Sequence, residues 1–252
     1  NNGDHVVDNG ELTLGGQGSN IGGLFGINTG KVTAAYNTGA IQADDSSNVG
    51  GIAGQNSGTI DQVFSTIFDN NGNAGKVVGS TNVGGVVGWN TGVLSNAYNT
   101  SQVSGTNTVG NLVGQNDKAV KNVYATVTGL LIGNGSLAQN GYVAEDTQEW
   151  KDHGLYDGFD FDNDGGSIWK NYDGYGTPLL KVFLTKAFYD PATGQLVSAA
   201  DGFNAHYNAE GGLIFRGMGT ESNYLWSEQI GFGNGNPNWL GYDLVAMPDI
   251  PA

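Results

Sequence analysis

The sequence contains no cysteine, only five prolines and a single arginine, Arg216. Without cysteine the chain can form no disulfide, no thiol nucleophile and no cysteine-ligated zinc site. Nine Lys and Arg residues stand against 24 Asp and Glu residues, which gives a net charge of −15. Nucleic acid binding needs a cationic surface for the phosphates, so we expect no nucleic-acid partner. No apolar run is long enough to span a bilayer, so we also expect no membrane insertion by this segment.

Glycine and apolar residues are plentiful instead. The chain has 44 glycines in 252 residues, and 38% of its residues are hydrophobic. The glycines follow no Gly-X-Y period and proline is scarce, which excludes a collagen-like triple helix. The apolar fraction is high enough to bury a core, so the composition also argues against a disordered chain.

The first half of the chain contains four copies of one repeat. One copy reads Asn82-Val-Gly-Gly-Val-Val-Gly-Trp-Asn-Thr-Gly92, and equivalent segments begin at Asn20, Asn48 and Thr108. Each copy places an aromatic residue 14 positions after its first glycine, and these residues are Tyr36, Phe64, Tyr98 and Tyr124. Self-similarity of this period is typical of solenoids, in which stacked repeats share a continuous core.

The repeat predicts short β-strands separated by turns. Apolar residues follow each Gly-Gly pair, and Asn-x-Gly segments favour turns because Asn and Gly tolerate positive φ. We therefore predict an all-β fold in which residues 1–140 form a right-handed parallel β-helix. In this fold the recurring aromatic residues stack on one another as a ladder with a structural role.

These repeat residues resemble the GLUG motif, whose pattern is VGGLVGxNxGxIxxxYxxG. The resemblance covers about residues 19–129, although Asn111 and Lys118 replace two of the motif's glycines in the fourth copy. GLUG motifs occur in filamentous-haemagglutinin-like bacterial adhesins exported by two-partner secretion. The resemblance implies a secreted or cell-surface fragment that contacts a cell-surface or matrix receptor, either a glycan or a protein.

The second half of the chain has a different character. We predict a capping segment over 141–183, with one short helix at 144–153 followed by Phe161 and Trp169. Its order of residues resembles the stretch that closes GLUG arrays, which implies that Phe161 and Trp169 cover the open end of the stack. Residues 184–252 are predicted to form a small β-rich module with a C-terminal tail.

One acidic segment has the spacing of a calcium loop. Asp160, Asp162 and Asp164 alternate along the chain and are followed by a glycine, as at the start of an EF-hand loop. The twelfth position is Asn171 rather than the expected glutamate. The three aspartates either bind Ca²⁺ or line the solvent side of a strand.

Catalytic motifs are missing from the sequence. The three histidines lie in separate segments, and the acids within the repeats do not recur in register. A hydrolase needs two carboxylates that face each other across the scissile bond. The missing motifs predict a non-catalytic chain, and the resemblance to GLUG arrays implies that it is an adhesin fragment. The alternatives are a polysaccharide lyase or hydrolase built on a solenoid, and a calcium-dependent carbohydrate-binding module.

Exposed aromatic residues are the candidate ligand contacts. Trp89 occupies a position where the other repeats have Ile27, Gln55 and Gln115, so we expect its ring to face outward. Trp239 is a second candidate in the C-terminal module. Aromatic rings of this kind can stack on flat apolar ligand surfaces such as sugar faces, or they can belong to the module core.

Overall fold

The computed structural model describes residues 16–66, 75–126, 128–144, 149–161, 167–171 and 177–184, together with the backbone of seven strands outside these ranges. The described part is nearly all-β and contains no α-helix. Its three 3₁₀-helices have three residues each, so no helix in these ranges could cross a membrane.

Nineteen strands occupy the described part of the repeat region. In chain order they are β1 (Val6–Asp8), β2 (Leu12–Thr13), β3 (Ser19–Gly22), β4 (Phe25–Asn28), β5 (Lys31–Asn37), β6 (Ile41–Gln42), β7 (Ser47–Gly50), β8 (Ala53–Asn56), β9 (Thr59–Ser65), β10 (Lys76–Val78), β11 (Thr81–Gly84), β12 (Val87–Asn90), β13 (Val93–Asn99), β14 (Gln102–Ser104), β15 (Asn107–Gly110), β16 (Val113–Asn116), β17 (Val120–Ala125), β18 (Ile132–Gly135) and β19 (Gln139–Val143).

These strands form four sheets in which every neighbouring pair is parallel. Sheet A has the order β1-β5-β9-β13-β17-β19, sheet B β14-β10-β6-β2, sheet C β15-β11-β7-β3, and sheet D β18-β16-β12-β8-β4. The chain thus visits sheets C, D, A and B in turn and then returns to sheet C. This order is compatible with a parallel β-helix, and the predicted β class with parallel sheets is confirmed for the residues that the structure describes.

Equivalent residues of successive repeats pair directly across the strands. Val83 of β11 pairs with Val49 and Val109, for example, and Tyr98 of β13 pairs with Phe64 and Tyr124. A shift by one residue would turn each apolar side chain to the opposite face of its sheet, so burial specifies this register.

Apolar side chains fill two clusters between the sheets. The larger contains aliphatic residues from sheets D and A and from the Gly-Gly corners, among them Ile52, Val87, Leu94 and Ala97. The smaller lies between sheets B and C and includes Val49, Val77 and Val83. These side chains are fully buried, so each repeat shares its core with its neighbours.

Close approach of sheets C and D requires glycine. A Cβ atom on Gly54 of β8 would lie 2.3 Å from the backbone carbon of Asn20, and one on Gly88 would lie 2.4 Å from that of Asn48. Such distances are far below van der Waals contact, so a side chain at either position would force the two sheets apart. The glycine at the second position of these sheet D strands, as at Gly54 and Gly88, therefore sets the distance between sheets C and D.

A ladder of asparagine amides runs through the buried ends of the sheet D strands. The Nδ2 of Asn28 donates to the Oδ1 of Asn56, and that of Asn56 donates to Asn90, each over 2.8 Å. Asn90 donates in the same way to Asn116, whose Nδ2 reaches the carbonyl of Ser136. Four buried amides are thereby paired, as burial of polar groups requires.

The described residues 149–161, 167–171 and 177–184, which we call the strap, follow the repeats. The strap contains 3₁₀-helices at Glu149–Lys151, His153–Leu155 and Lys181–Phe183, and β20 (Trp169–Lys170) pairs antiparallel with β21 (Leu179–Leu180). The helix predicted over 144–153 is therefore replaced by two short 3₁₀ turns in the part that is described. The Asp152 carboxylate accepts a hydrogen bond from Gly154 N and so starts the second of them.

The strap lies along the outer face of sheet A rather than over the end of the stack. Tyr156 contacts Tyr124 near the last repeat, Trp169 contacts Phe64, and Phe183 contacts Tyr36 in the first repeat. This position differs from the sequence prediction for Phe161 and Trp169. The physical reason is that the recurring aromatic side chains point away from the interior, and the apolar side chains of the strap bury them.

Five further strands follow the strap in the part of the chain that the structure describes. They are β22 (Thr185–Tyr189), β23 (Leu196–Ala199), β24 (Ala205–Tyr207), β25 (Leu213–Phe215) and β26 (Tyr242–Ala246). β22 pairs antiparallel with β23 and parallel with β26, while β24 pairs with β25. The predicted module boundaries stay a prediction.

Candidate functional site

The third residue of each sheet D strand forms a continuous line on the protein surface. These residues pair in register across the five strands, and we call them the outer row: Ile27, Gln55, Trp89, Gln115 and Asn134. Ile27 is 53% exposed, and Trp89 is half-buried. Because neighbouring strands are about 4.8 Å apart, the row offers one side chain per strand at a regular spacing.

Hydrogen bonds fix the indole ring of Trp89. Its Nε1 donates to Oδ2 of Asp117 over 2.7 Å, and Nε2 of Gln115 donates to Oδ1 of the same carboxylate over 2.7 Å. Nδ2 of Asn134 then donates to Oε1 of Gln115 over 2.8 Å. The ring and the two amides are therefore oriented before any ligand arrives, which reduces the entropy lost on binding.

Asp117 places a negative charge beside this ring. The hydrogen bonds from Trp89 and Gln115 lower the pKa of its carboxyl below the ordinary value, since both stabilise the ionised form. Asp117 is exposed to solvent. The outer row thus combines an oriented aromatic ring, amide groups and a carboxylate on a rigid sheet, a set that can stack on a sugar face and hydrogen-bond its hydroxyls.

The predicted ladder residues lie on the outer face of sheet A. Tyr36 stacks on Phe64 with ring centroids 4.8 Å apart, and Phe64 stacks on Tyr98 at 5.0 Å. Tyr124 follows in register, and all four rings are buried. Burial raises the pKa of Tyr36 and of Tyr124 to about 12, and it raises the pKa of Tyr98 as well. These residues join the strap to the repeats.

Phe161 and Trp169 contribute to this contact from the strap. Trp169 is 1% exposed and stacks on Phe159 with centroids 4.6 Å apart, while its ring also contacts Phe64 and Tyr98. Phe161 is partly buried beside Phe159. Both residues therefore pack within one aromatic cluster with the ladder.

The candidate calcium ligands are only partly described. Asp160 is exposed, and its backbone carbonyl accepts a hydrogen bond from Trp169 N over 3.0 Å. Asp162, Asp164 and Trp239 lie outside the described residues. Within the described ranges no group of His, Asp and Glu residues is arranged to hold a metal ion.

The sequence predicted an outward-facing ring at Trp89, and this residue stays a predicted ligand contact; the groups that orient the ring were not predicted. Gln115 occupies the same repeat position as Trp89, and Asp117 lies two residues further along the chain. Pairing of adjacent repeats brings position 115 beside position 89, so alignment of the copies could have revealed this contact. The rotamers that close the hydrogen bonds could not be read from the alignment.

Comparison of the chain with protein-family models, curated proteins and solved structures finds no significant match. The resemblance to the GLUG motif therefore stays a prediction from the repeat residues. The geometry of the outer row therefore provides the basis for a functional proposal.

Proposed function

We propose that this chain is part of a secreted bacterial surface protein of the filamentous-haemagglutinin-like type, in which it acts as a non-catalytic stalk and contact surface. In this proposal residues 19–129 are GLUG repeats, and they wind as a right-handed parallel β-helix. The partner is a glycan on a cell surface or in a matrix, and the outer row of sheet D contacts it.

The in-register pairing of the repeats supports the stalk role. Each repeat contacts the next through four sheets and through the buried amides of Asn28, Asn56, Asn90 and Asn116. A stack of this kind resists bending because every backbone strand is hydrogen-bonded to its neighbours in the adjacent repeats. Such stiffness suits a protein that holds a binding surface away from a cell.

The single observation that carries the contact role is the hydrogen-bonded set of Trp89, Asp117 and Gln115. An indole held at its Nε1 by a carboxylate presents a fixed surface to a ligand. Sugar rings have apolar faces that stack on aromatic rings, and their hydroxyls suit amide and carboxylate partners. A strip with one side chain per strand fits an extended chain of sugars better than a compact ligand.

A glycan array with the whole chain tests this proposal. We expect binding to at least one class of oligosaccharide, and a loss of about tenfold or more in affinity for Trp89→Ala, because hot-spot aromatic residues commonly contribute that much. Val93→Ala is the matched control, since Val93 is 46% exposed on a different sheet. If no glycan binds, or if Trp89→Ala binds as the wild type does, the outer row is not a glycan contact.

A further inference from the structure

Asn134, the last residue of the outer row, is followed by a glycine at an open edge of the fold. Among the asparagines of the described residues, Asn134 and Asn140 are the two that precede a glycine. Asparagine is one of the less chemically stable residues, and a following glycine favours its reaction because the missing side chain leaves the next backbone nitrogen accessible. Since both pairs have the same local sequence, any difference in their reactivity must come from the structure.

The backbone presents this nitrogen at the edge of sheet D. β18 is the outermost strand of that sheet, and Ser136 N donates to the carbonyl of Asn116 over 2.8 Å. Because successive N–H groups of a strand point to opposite sides, Gly135 N is directed away from β16. Gly135 has φ of 101°, and a Cβ atom there would clash with the carbonyl oxygen of Asn116. The fold therefore requires glycine after Asn134 and keeps its nitrogen towards solvent.

Hydrogen bonds distinguish the two asparagine side chains, which are both exposed. Nδ2 of Asn134 donates to Oε1 of Gln115 over 2.8 Å. Nδ2 of Asn140 donates to Oδ1 of Asn122 over 3.0 Å, and to the carbonyl and the carboxylate of Asp157 over 3.2 and 3.1 Å. A side chain that turns towards its own backbone must give up these contacts, so Asn134 loses one hydrogen bond and Asn140 loses three.

We propose that Asn134 is a site of spontaneous deamidation. Gly135 N attacks Cγ of Asn134, so a bond forms between these two atoms while the bond from Cγ to Nδ2 breaks. Nδ2 leaves as ammonia and takes up the proton that Gly135 N releases. One water molecule then opens the succinimide ring at either of its carbonyl carbons, which yields aspartate or isoaspartate. The reaction needs no other reactant.

Either product changes the outer row. A carboxylate at position 134 cannot donate to Oε1 of Gln115, so this hydrogen bond is lost and the row gains a negative charge beside Gln115. Isoaspartate also adds one carbon atom to the main chain, which disturbs the contact of Ser136 with Asn116. The modification itself does not depend on the proposed glycan contact, and only its effect on binding would rest on that function.

Peptide mapping of the folded whole chain tests the site. Trypsin cleaves after Lys121 and Lys151, so a single peptide contains both Asn134 and Asn140, and tandem mass spectrometry assigns the mass gain to one of them. Digestion in heavy-oxygen water marks any deamidation that occurs during the digest. At neutral pH we expect Asn134 to react at least about fivefold faster than Asn140, because fewer hydrogen bonds must open. Equal rates, or a faster reaction at Asn140, would overturn the proposal.

The chain unfolded in urea is the reference for this comparison. Both Asn-Gly pairs are then solvated, so their rates should agree within about twofold. If Asn134 stays intact in the folded protein while it reacts in urea, the edge strand protects it and the proposal is wrong.

Two variants separate the local hydrogen bonds from general unfolding. Asn134→Gln would have to close a larger ring, so it should remove the reaction at this position and leave the rate at Asn140 unchanged. Asp157→Ala removes the carboxylate that holds Asn140, so Asn140 should react about two- to fivefold faster while Asn134 keeps its rate. Equal acceleration of both sites in Asp157→Ala would show that global opening sets the rates, which contradicts the proposal.

Discussion

At the scale of single residues, the packing of the strap on sheet A depends on the direction in which the recurring aromatic side chains point. Leu94 and Ala97 both face the interior of the repeats although an odd number of positions separates them. Asn96 lies between them with φ of 48°, and this left-handed residue acts as a bulge that reverses the alternation of side chains. Tyr98 is consequently directed outward to the strap rather than inward.

Truncation of Tyr98 measures the contribution of one ladder ring. The ring is fully buried, stacks on Phe64, and its hydroxyl contacts Thr177 and the carbonyl of Pro178 in the strap. We expect Tyr98→Ala to lower the free energy of unfolding by roughly 3–5 kcal/mol, the range for loss of a large buried aromatic side chain. Urea denaturation gives this value.

Thr100→Ala is the control for that variant. Thr100 is also buried, but its hydroxyl has no hydrogen-bond partner among the described residues and its side chain is small. We expect a loss of about 1 kcal/mol. If the two variants unfold at the same urea concentration, the Tyr98 ring contributes no more to stability than the small side chain of Thr100.

Because Tyr36 and Tyr124 are buried, we also expect the folded protein to lose stability above about pH 10. The pKa values of Tyr36 and Tyr124 are about 12 in the folded protein, against the ordinary value of 10.0. Between these values the unfolded chain loses the phenol protons and the folded chain keeps them, so the unfolded state is favoured as pH rises. The urea midpoint should stay constant up to about pH 10 and then fall towards pH 12. Tyr124→Phe should make this fall smaller, and a midpoint that is flat up to pH 12 would contradict the assignment.

At the scale of elements, the repeat residues predicted much of what the structure shows. Four copies with a common register predict parallel pairing of equivalent residues, and Val83 does pair with Val49 and Val109. The position of the strap was beyond this reasoning, because it depends on the bulge at Asn96 and on which of two faces Tyr98 occupies. The sequence predicted that the ring of Trp89 faces outward. It did not predict the hydrogen bond to Asp117, because that contact depends on side-chain rotamers.

Because of the buried amide ladder, replacement of a single asparagine should strongly lower the stability of the protein. In Asn90→Ala, Asn56 loses the acceptor and Asn116 loses the donor that Asn90 provides. Asn56 Nδ2 keeps the carbonyl of Val93 and Asn116 Oδ1 keeps the N–H of Lys118, so the variant loses buried hydrogen bonds without leaving these two groups unpaired. Each buried hydrogen bond contributes roughly 0.5–1.5 kcal/mol, so the variant should be destabilised by more than removal of one exposed amide. Thermal unfolding monitored by circular dichroism measures the difference.

Asn134→Ala provides the comparison on the same sheet. Its amide donates to Gln115 at the exposed surface, where water can replace the lost hydrogen bond. We expect a change within about 0.5 kcal/mol. A comparable loss of stability in both variants would mean that the buried ladder is no more important than surface amides.

At the scale of the whole molecule, the strap joins distant repeats. It contacts Tyr124 through Tyr156, Tyr98 through Trp169 and Tyr36 through Phe183, so a single segment follows the ladder back from the last repeat to the first. Repeats in a stack otherwise contact only their neighbours. The strap should therefore make unfolding of the stack more cooperative.

Removal of the strap should make the repeats aggregate. A chain that ends after Ala144 keeps β19 and every repeat, but it exposes the rings of Tyr36, Phe64, Tyr98 and Tyr124 as one apolar surface. Exposed apolar surfaces of this size favour self-association. We expect residues 1–144 to form oligomers in size-exclusion chromatography with light scattering, whereas residues 1–184 stay monomeric. A monomeric 1–144 fragment with a cooperative melt would contradict the role of the strap.

The cause of that aggregation can be separated from the open end of the stack. Leu130 and Leu137 are 66% and 86% exposed near the last strands, and truncation leaves them in place. If the ladder is responsible, Phe64→Ser and Tyr98→Ser together should return the 1–144 fragment towards the monomer, because hydroxyl side chains replace the two central rings. Leu130→Ser with Leu137→Ser should not do so. The opposite result would show that the last repeat, rather than the face beneath the strap, is the surface that needs a cover.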